Sequence, residues 1–240
     1  MLRETWLVFV RAWLPVLRTP WAVAFGAVQP LLHLALFGPL LPSLGQGSWQ
    51  WFVPGLLVMT ALTGTAYAGF ALIPEIRSGV LERMRVSPVS RTALLLGRVL
   101  KDVVLLLTQA ALVAVVALAL GFRTSVTGLL LGLGLVALVG IGVGSASHAL
   151  ALRLRHEYLF APLLSAVVMP LVLLSGVLLP MTLAPAWLAT VAAVNPLSHV
   201  VTAERAVFAG GTGWPGALVA LALAAACTAW GVRTFQRENG

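Results

Sequence analysis

Long apolar runs alternate with short, arginine-bearing connections along the whole chain. A helix needs about 20 apolar residues to cross a bilayer. Six runs qualify, at 21–41, 52–73, 103–120, 126–150, 158–179 and 214–232. They predict an all-α integral membrane fold of six transmembrane helices. Residues 180–213 are moderately apolar but interrupted by Pro180, Pro185 and Pro196, which argue against one continuous helix. Trp187 and Trp214 suit a membrane interface, so this stretch is expected to form an outer re-entrant segment that does not cross. Residues 1–20 carry a third pattern. On a helical wheel Arg3, Arg11 and Arg18 share a narrow arc, opposite Leu2, Trp6, Phe9, Trp13 and Leu17. That pattern predicts an interfacial helix lying on the membrane, bent or ended at Pro15.

The polar connections are unequal. Residues 73–102 hold nine of the 22 formal charges, and within them 74–92 reads as a loop between spans two and three. Pro74 is expected to end the second span. Beyond it Ile76, Val80 and Met84 recur on one helical stripe, with Glu75, Glu82, Arg83 and Arg85 largely elsewhere. A short amphipathic helix follows from this spacing, stopped by Ser87 and Pro88. Fixing topology needs only Arg and Lys, so the mixed signs suggest a docking surface.

Composition agrees with the pattern. The chain is 60% hydrophobic and 9% charged, with a mean hydropathy of +1.01. A water-soluble domain so composed would expose an aggregating surface. The net charge of +8 comes from fourteen Arg and one Lys, not interleaved with aromatics as a nucleic-acid groove would be, so no nucleic-acid partner is expected. Orientation follows from where the cations fall. With the N-terminus inside, all but Arg123 and Arg205 lie on the cytoplasmic side, which makes both termini cytoplasmic. Arg11 and Arg18 break up the apolar core a cleaved signal peptide would need. A single cysteine, Cys227, rules out an intrachain disulfide.

Candidate chemistry is sparse. The four-residue pairs Gly128/Gly132 and Gly140/Gly144 predict close helix packing, more readily within the chain than between copies. No phosphate-binding loop follows, because the one Lys, Lys101, comes after Val99 and Leu100. The histidines His33, His148, His156 and His199 lack metal-ligand spacing, so no metal site is expected. Ser145, Ser147 and His148 are neighbours, but the sequence offers the imidazole no paired carboxylate; no catalytic residue is assigned. Six carboxylates are placed at or beyond the cytoplasmic ends of the spans and Glu204 in the outer segment, leaving none in the bilayer centre to couple an ion gradient. An uncharged path through the spans is read from Thr60, Thr63, Thr65, Tyr67, Thr108, Gln109 and Ser175. Such a lining suits an amphiphilic load, although each residue serves equally as an interhelical hydrogen bonder. A gradient-driven carrier or channel and an integral-membrane enzyme are the competing classes.

Five stretches carry a resemblance, in order along nearly the whole chain: VQPLLHLALFG at 28–38, FVPGLL at 52–57, EIRSGVLERMRVSPVSRTALLLGR at 75–98, SGVLLP at 175–180 and NPLSHVV at 195–201. Together they resemble the permease subunit of type 2 ABC exporters, in particular the daunorubicin-resistance-like group, with the lipooligosaccharide nodulation exporters as relatives. The central motif is matched by Glu75, Gly79 and Pro88; Met181 and Leu183 depart from the more polar outer turn of that pattern. The resemblance implies one permease domain over 1–240 in the bacterial inner membrane, active in multidrug export and antibiotic resistance. It implies a coupling element at Glu75, Gly79, Val80, Glu82, Arg83, Met84, Arg85 and Pro88, seated on a separate ABC ATPase that binds ATP and Mg; this chain would bind no cofactor. It also implies a second permease copy, as homodimer or heterodimer, with substrate leaving between the two.

Overall fold

The computed structural model describes residues 1–44, 48–80, 89–154, 156–177, 181 and 184–237. Among them every regular element is helical. Five helical runs are long and apolar enough to cross a membrane: 48–77, 91–120, 126–154, 157–174 and 214–237. The expected first span is helix α2, Pro20–Phe37, followed by a short 3-10 turn; its apolar stretch Gly26–Leu40 is shorter than the other five.

Helix α1, Leu2–Arg18, runs through Pro15, so the helix does not end there. One side of α1 buries Val8 and Phe9, while Leu2, Trp6, Leu14 and Leu17 stay exposed. Phe9, on the apolar side of the predicted wheel, turns inward.

The second run also departs from expectation. Helix α3, Ser48–Ala66, passes into a 3-10 turn at Ala68–Ala71 and then helix α4, Leu72–Arg77. Pro74 does not end it. Proline is tolerated in a helix's first turn, where its missing N–H has no partner to lose. The helix stops instead at Ser78 and Gly79, whose φ of 69° is left-handed. Ile76 and Val80 are therefore not on one continuous helical stripe.

Helix α5, Arg91–Leu120, starts twelve residues before the predicted third span. Ser90 is its N-cap, extended in backbone and accepting from the Ala93 N–H at 3.3 Å; Gly121, at φ 117°, closes it. Thirty residues give roughly 45 Å of helix, so Arg98, Lys101 and Asp102 lie along the helix and not in a loop before it.

Helix α6, Val126–Leu154, is the hub. Its glycines pack within the chain, as expected. A Cβ at Gly142 would meet the Ala224 backbone at 3.1 Å, and one at Gly128 the Val207 carbonyl at 3.0 Å. Helix α7, Glu157–Leu174, is followed by the short helices α8, Ala186–Val194, and α9, Pro196–Phe208, which are bent by 86° to one another. Asn195 holds the corner: its Oδ1 accepts from the Leu197 N–H at 3.0 Å and its Nδ2 donates to the Leu171 carbonyl at 2.9 Å. Helix α10, Trp214–Arg237, packs on α6 and α9. One apolar core joins α3, α5, α6 and α9 around Leu57, Val136 and Val200; a second, around Leu72, Leu95 and Phe160, lies at the arginine-rich end.

Candidate functional site

The connection singled out by charge is held at both ends, at one by α5 and at the other by α1. Glu75 accepts from Arg98 Nη2 at 2.5 Å. At the far end the Ser90 N–H donates to Glu4 Oε2 at 2.8 Å, and this backbone bond holds the Glu4 carboxyl down at about 2, well below its ordinary value. Gly97 lets α1 lie close, for a Cβ there would meet the Thr5 carbonyl at 2.8 Å and Val8 Cβ at 2.7 Å. Arg77 reaches Glu157 at 3.9 Å, and Arg91 donates to the Gln236 carbonyl at 2.7 Å. Helices α1, α4, α5, α7 and α10 thus meet at one end. Of the predicted coupling residues, Glu75, Gly79 and Val80 are described, with Gly79 and Val80 half-buried. Glu82, Arg83, Met84, Arg85 and Pro88 lie outside the described residues.

Deeper along α5 the charges that the sequence placed just before the third span lie on the helix itself. Asp102 is buried, its Oδ2 2.7 Å from His148 Nε2 on α6 and its Oδ1 2.5 Å from Lys101 Nζ. It sits roughly 17 Å from the helix start at 1.5 Å per residue. His148 therefore has the carboxylate partner its sequence neighbourhood did not offer. A hydrolytic triad still does not form, because Ser147 Oγ donates to the Ala66 carbonyl and accepts from the Gly69 N–H.

Helices α2, α3 and α5 enclose an open cleft of about 530 Å³. Of the residues read as a substrate path, Thr60, Thr63, Thr65, Tyr67 and Gln109 line it. Thr108 does not: it is exposed, with its hydroxyl on the Val104 carbonyl. Ser175 is also elsewhere, buried at the end of α7 and bonded to Val172. The three threonine hydroxyls of α3 each donate four residues back along their own helix, at 2.6 to 2.8 Å, so they do not cross-link helices. Sequence reasoning missed Lys101 and Asp102 at one end of this cleft and Gly26 at its side. A Cβ at Gly26 would collide with the Gln109 amide. The signal for the first two was Ser90, an N-cap residue ahead of the apolar-periodic run.

Comparison with known proteins decides the family. The model of the family described as ABC-2 type transporter matches residues 3–209. The chain belongs to that family. A daunorubicin resistance ABC transporter permease protein, DrrB1 of Streptomyces coeruleorubidus, is 28% identical over 80% of this chain and 70% of its own length. The ycf38 transport permease of Porphyra purpurea is 29% identical over 89% of this chain and 76% of its own, and that of Cyanophora paradoxa 28% over 86% and 74%.

The matched region of this ABC-2 permease runs from α1 through α9 and so includes the end of the bundle away from the arginine-rich connection. There Arg205 donates through Nε to the Trp51 carbonyl at 3.1 Å and through Nη2 to the Gly176 carbonyl at 2.8 Å, with its guanidinium 4.5 Å from the Trp51 ring centroid. Its neighbour Glu204 lies in the segment read as outer, on α9. It is fully buried beside Gly132 of α6, and its carboxylate oxygens have no hydrogen-bond partner among the described residues.

Proposed function

We propose that the chain is the membrane-spanning subunit of an ATP-driven exporter of amphiphilic, drug-like or lipid-linked molecules. A separate ABC ATPase binds ATP and Mg and docks on the connection after α4, at Glu75, Gly79 and Val80 and onward through Glu82, Arg83, Met84, Arg85 and Pro88. A second permease copy, identical or not, completes the path. Kinship with the lipooligosaccharide nodulation exporters belongs to the same reading. The observation that carries it is the cleft between α2, α3 and α5: it is lined by hydroxyl and amide groups, and its Lys101 end lies next to the Glu75–Arg98 bond that anchors the connection. A movement of the connection would reach the wall of the cleft through one turn of α5. A polar-lined cleft with apolar walls suits a body that is mostly apolar with a few hydrogen-bonding groups.

Six crossings, a re-entrant α8–α9 pair and cytoplasmic termini in the bacterial inner membrane complete the reading, resting on the arginine bias. In a Cys227→Ser background, a single cysteine at Gly211 should react with an impermeant reagent from outside and one at Ser78 should not. The function itself is tested in proteoliposomes holding the chain with the ATPase that copurifies with it. A fluorescent cationic amphiphile should move only with MgATP. Movement driven by an ion gradient without nucleotide would restore the carrier reading.

A further inference from the structure

Between α1 and the inner part of α5 lies a second cavity, of about 350 Å³, that the transport reading does not use. Arg11, Arg98 and Lys101 are on its wall, with Glu75 and His148. We infer that this cavity is a binding site for the phosphate group of an anionic amphiphile.

Hydrogen-bonding capacity carries the argument. An Arg has five N–H donors and a Lys three, with no acceptor on either. Among the described residues Arg98 uses one donor on Glu75, Lys101 meets Asp102, and Arg11 has no partner. Arg98 Nε is a buried donor with no partner there. Two carboxylates, Glu75 on the wall and Asp102 behind Lys101, balance two of the three cations. Arg11 is the surplus charge, and the donors outnumber the acceptors. Such a wall fits a ligand that is all acceptors and carries negative charge, which describes a phosphate.

Position gives the rest of the ligand. The outer side of α1 exposes Trp6, Leu14 and Leu17, a face suited to the headgroup boundary, so the cavity opens where lipid phosphates lie. Basic pockets at that level recognise anionic headgroups. The cavity shares Ala71 and Lys101 with the larger cleft, whose wall of Pro30, Phe70 and Leu105 offers the apolar part a place to lie. This site goes beyond the exporter reading and stands whether or not the bound amphiphile is the one moved.

The test uses the purified full-length chain in detergent, without transport. Retention of phosphatidylglycerol against diacylglycerol is read by native mass spectrometry, and inorganic phosphate is titrated against tryptophan fluorescence. Arg11 is exposed, so Arg11→Gln should fold and melt like the parent. Phosphatidylglycerol should be retained over diacylglycerol, with about fivefold weaker retention in Arg11→Gln, recovery in Arg11→Lys and no change in Arg18→Gln. That pattern assigns a lipid headgroup. A response to inorganic phosphate that Arg11→Gln removes, without preference between the lipids, keeps the anion site and assigns it to a soluble phosphate ester. Equal losses in Arg11→Gln and Arg18→Gln, or no effect of Arg11→Gln on either ligand, overturn the inference.

Discussion

Asp102 of α5 faces His148 of α6 at 2.7 Å, with side-chain exposures of 6% and 3%, and its second oxygen lies against Lys101. One carboxylate therefore answers two partners from inside the bundle. Removing one member of a buried pair strands the other, at a cost of about 3 kcal/mol or more. Asp102→Leu strands both Lys101 and His148, whereas His148→Leu leaves Asp102 still paired with Lys101. Thermal melts in detergent should show the larger loss for Asp102→Leu, with His148→Leu costing about 1 kcal/mol. Equal losses would mean that the Lys101 contact contributes nothing.

The Glu4–Ser90 bond gives the seating of α1 a pH dependence of known sign. The Glu4 carboxyl is held at about 2 when docked, against an ordinary 4.5. Its contribution is thus whole above about pH 4.5 and is lost as pH falls through about 2. Spin labels at Leu7 and Leu100, both exposed, read the separation of α1 from α5. Their distance distribution should stay narrow from pH 7 to about pH 5 and broaden below 4.5. Glu4→Gln should remove that step; broadening over the same window in the variant would assign it to another acid.

At Gly79 the chain leaves its second long helical run with φ at 69°. Side-chain-bearing residues enter this region at a cost of about 1–2 kcal/mol, Asn most readily, while proline is fixed near −65° and cannot. Gly79→Asn should keep both export and ATPase association. Gly79→Pro should abolish both with normal membrane abundance, and Met84→Asp should do the same if that residue is an apolar anchor. Val126→Asp, at the opposite end of the bundle, should leave association intact. Pull-down of the copurifying ATPase beside a membrane-abundance blot separates these outcomes, and full association in both Gly79→Pro and Met84→Asp would leave the connection a topology signal alone.

Apolar run length located the long helices because the bilayer demands it, whatever the neighbours are. The same rule misplaced the start of α5. Charge was taken as the end of the membrane helix, yet Arg98 and Asp102 continue it because each finds a partner on another element, with Lys101 paired to Asp102 beside it, and partners 23 or 46 residues away leave no local pattern. Pro15 misled for a related reason: contacts of Val8 and Thr5 with Gly97 hold α1 along α5 whatever the local preference at the proline. The α3 threonines line the cleft, while Thr108 was not separable from Gln109 in the sequence. Adjacent helical residues point about 100° apart, so only one of those two could face inward.

Arg205 ties together the end of the bundle away from the arginine-rich connection. Its two carbonyl bonds and its stacking on Trp51 join α9 to the start of α3 and to the turn after α7. Both carbonyls are backbone, so their positions are set by Trp51 and Gly176 whatever their side chains. The guanidinium is a rigid fork that meets two acceptors at once, and lysine offers one charge point. Arg205→Lys should then keep the charge but lose one of the two bonds, at about 1–2 kcal/mol. Arg205→Met loses both and the ring contact. Hydrogen exchange at residues 51–55 should rise in both variants, more in Arg205→Met, with no change at residues 91–97 at the far end of the bundle. If this bond set seals the path, proteoliposomes of Arg205→Met should leak a preloaded amphiphile without nucleotide. Unchanged exchange at 51–55 would show that the packing of Val200 and Phe208 closes this end by itself, and that Arg205 only satisfies two carbonyls.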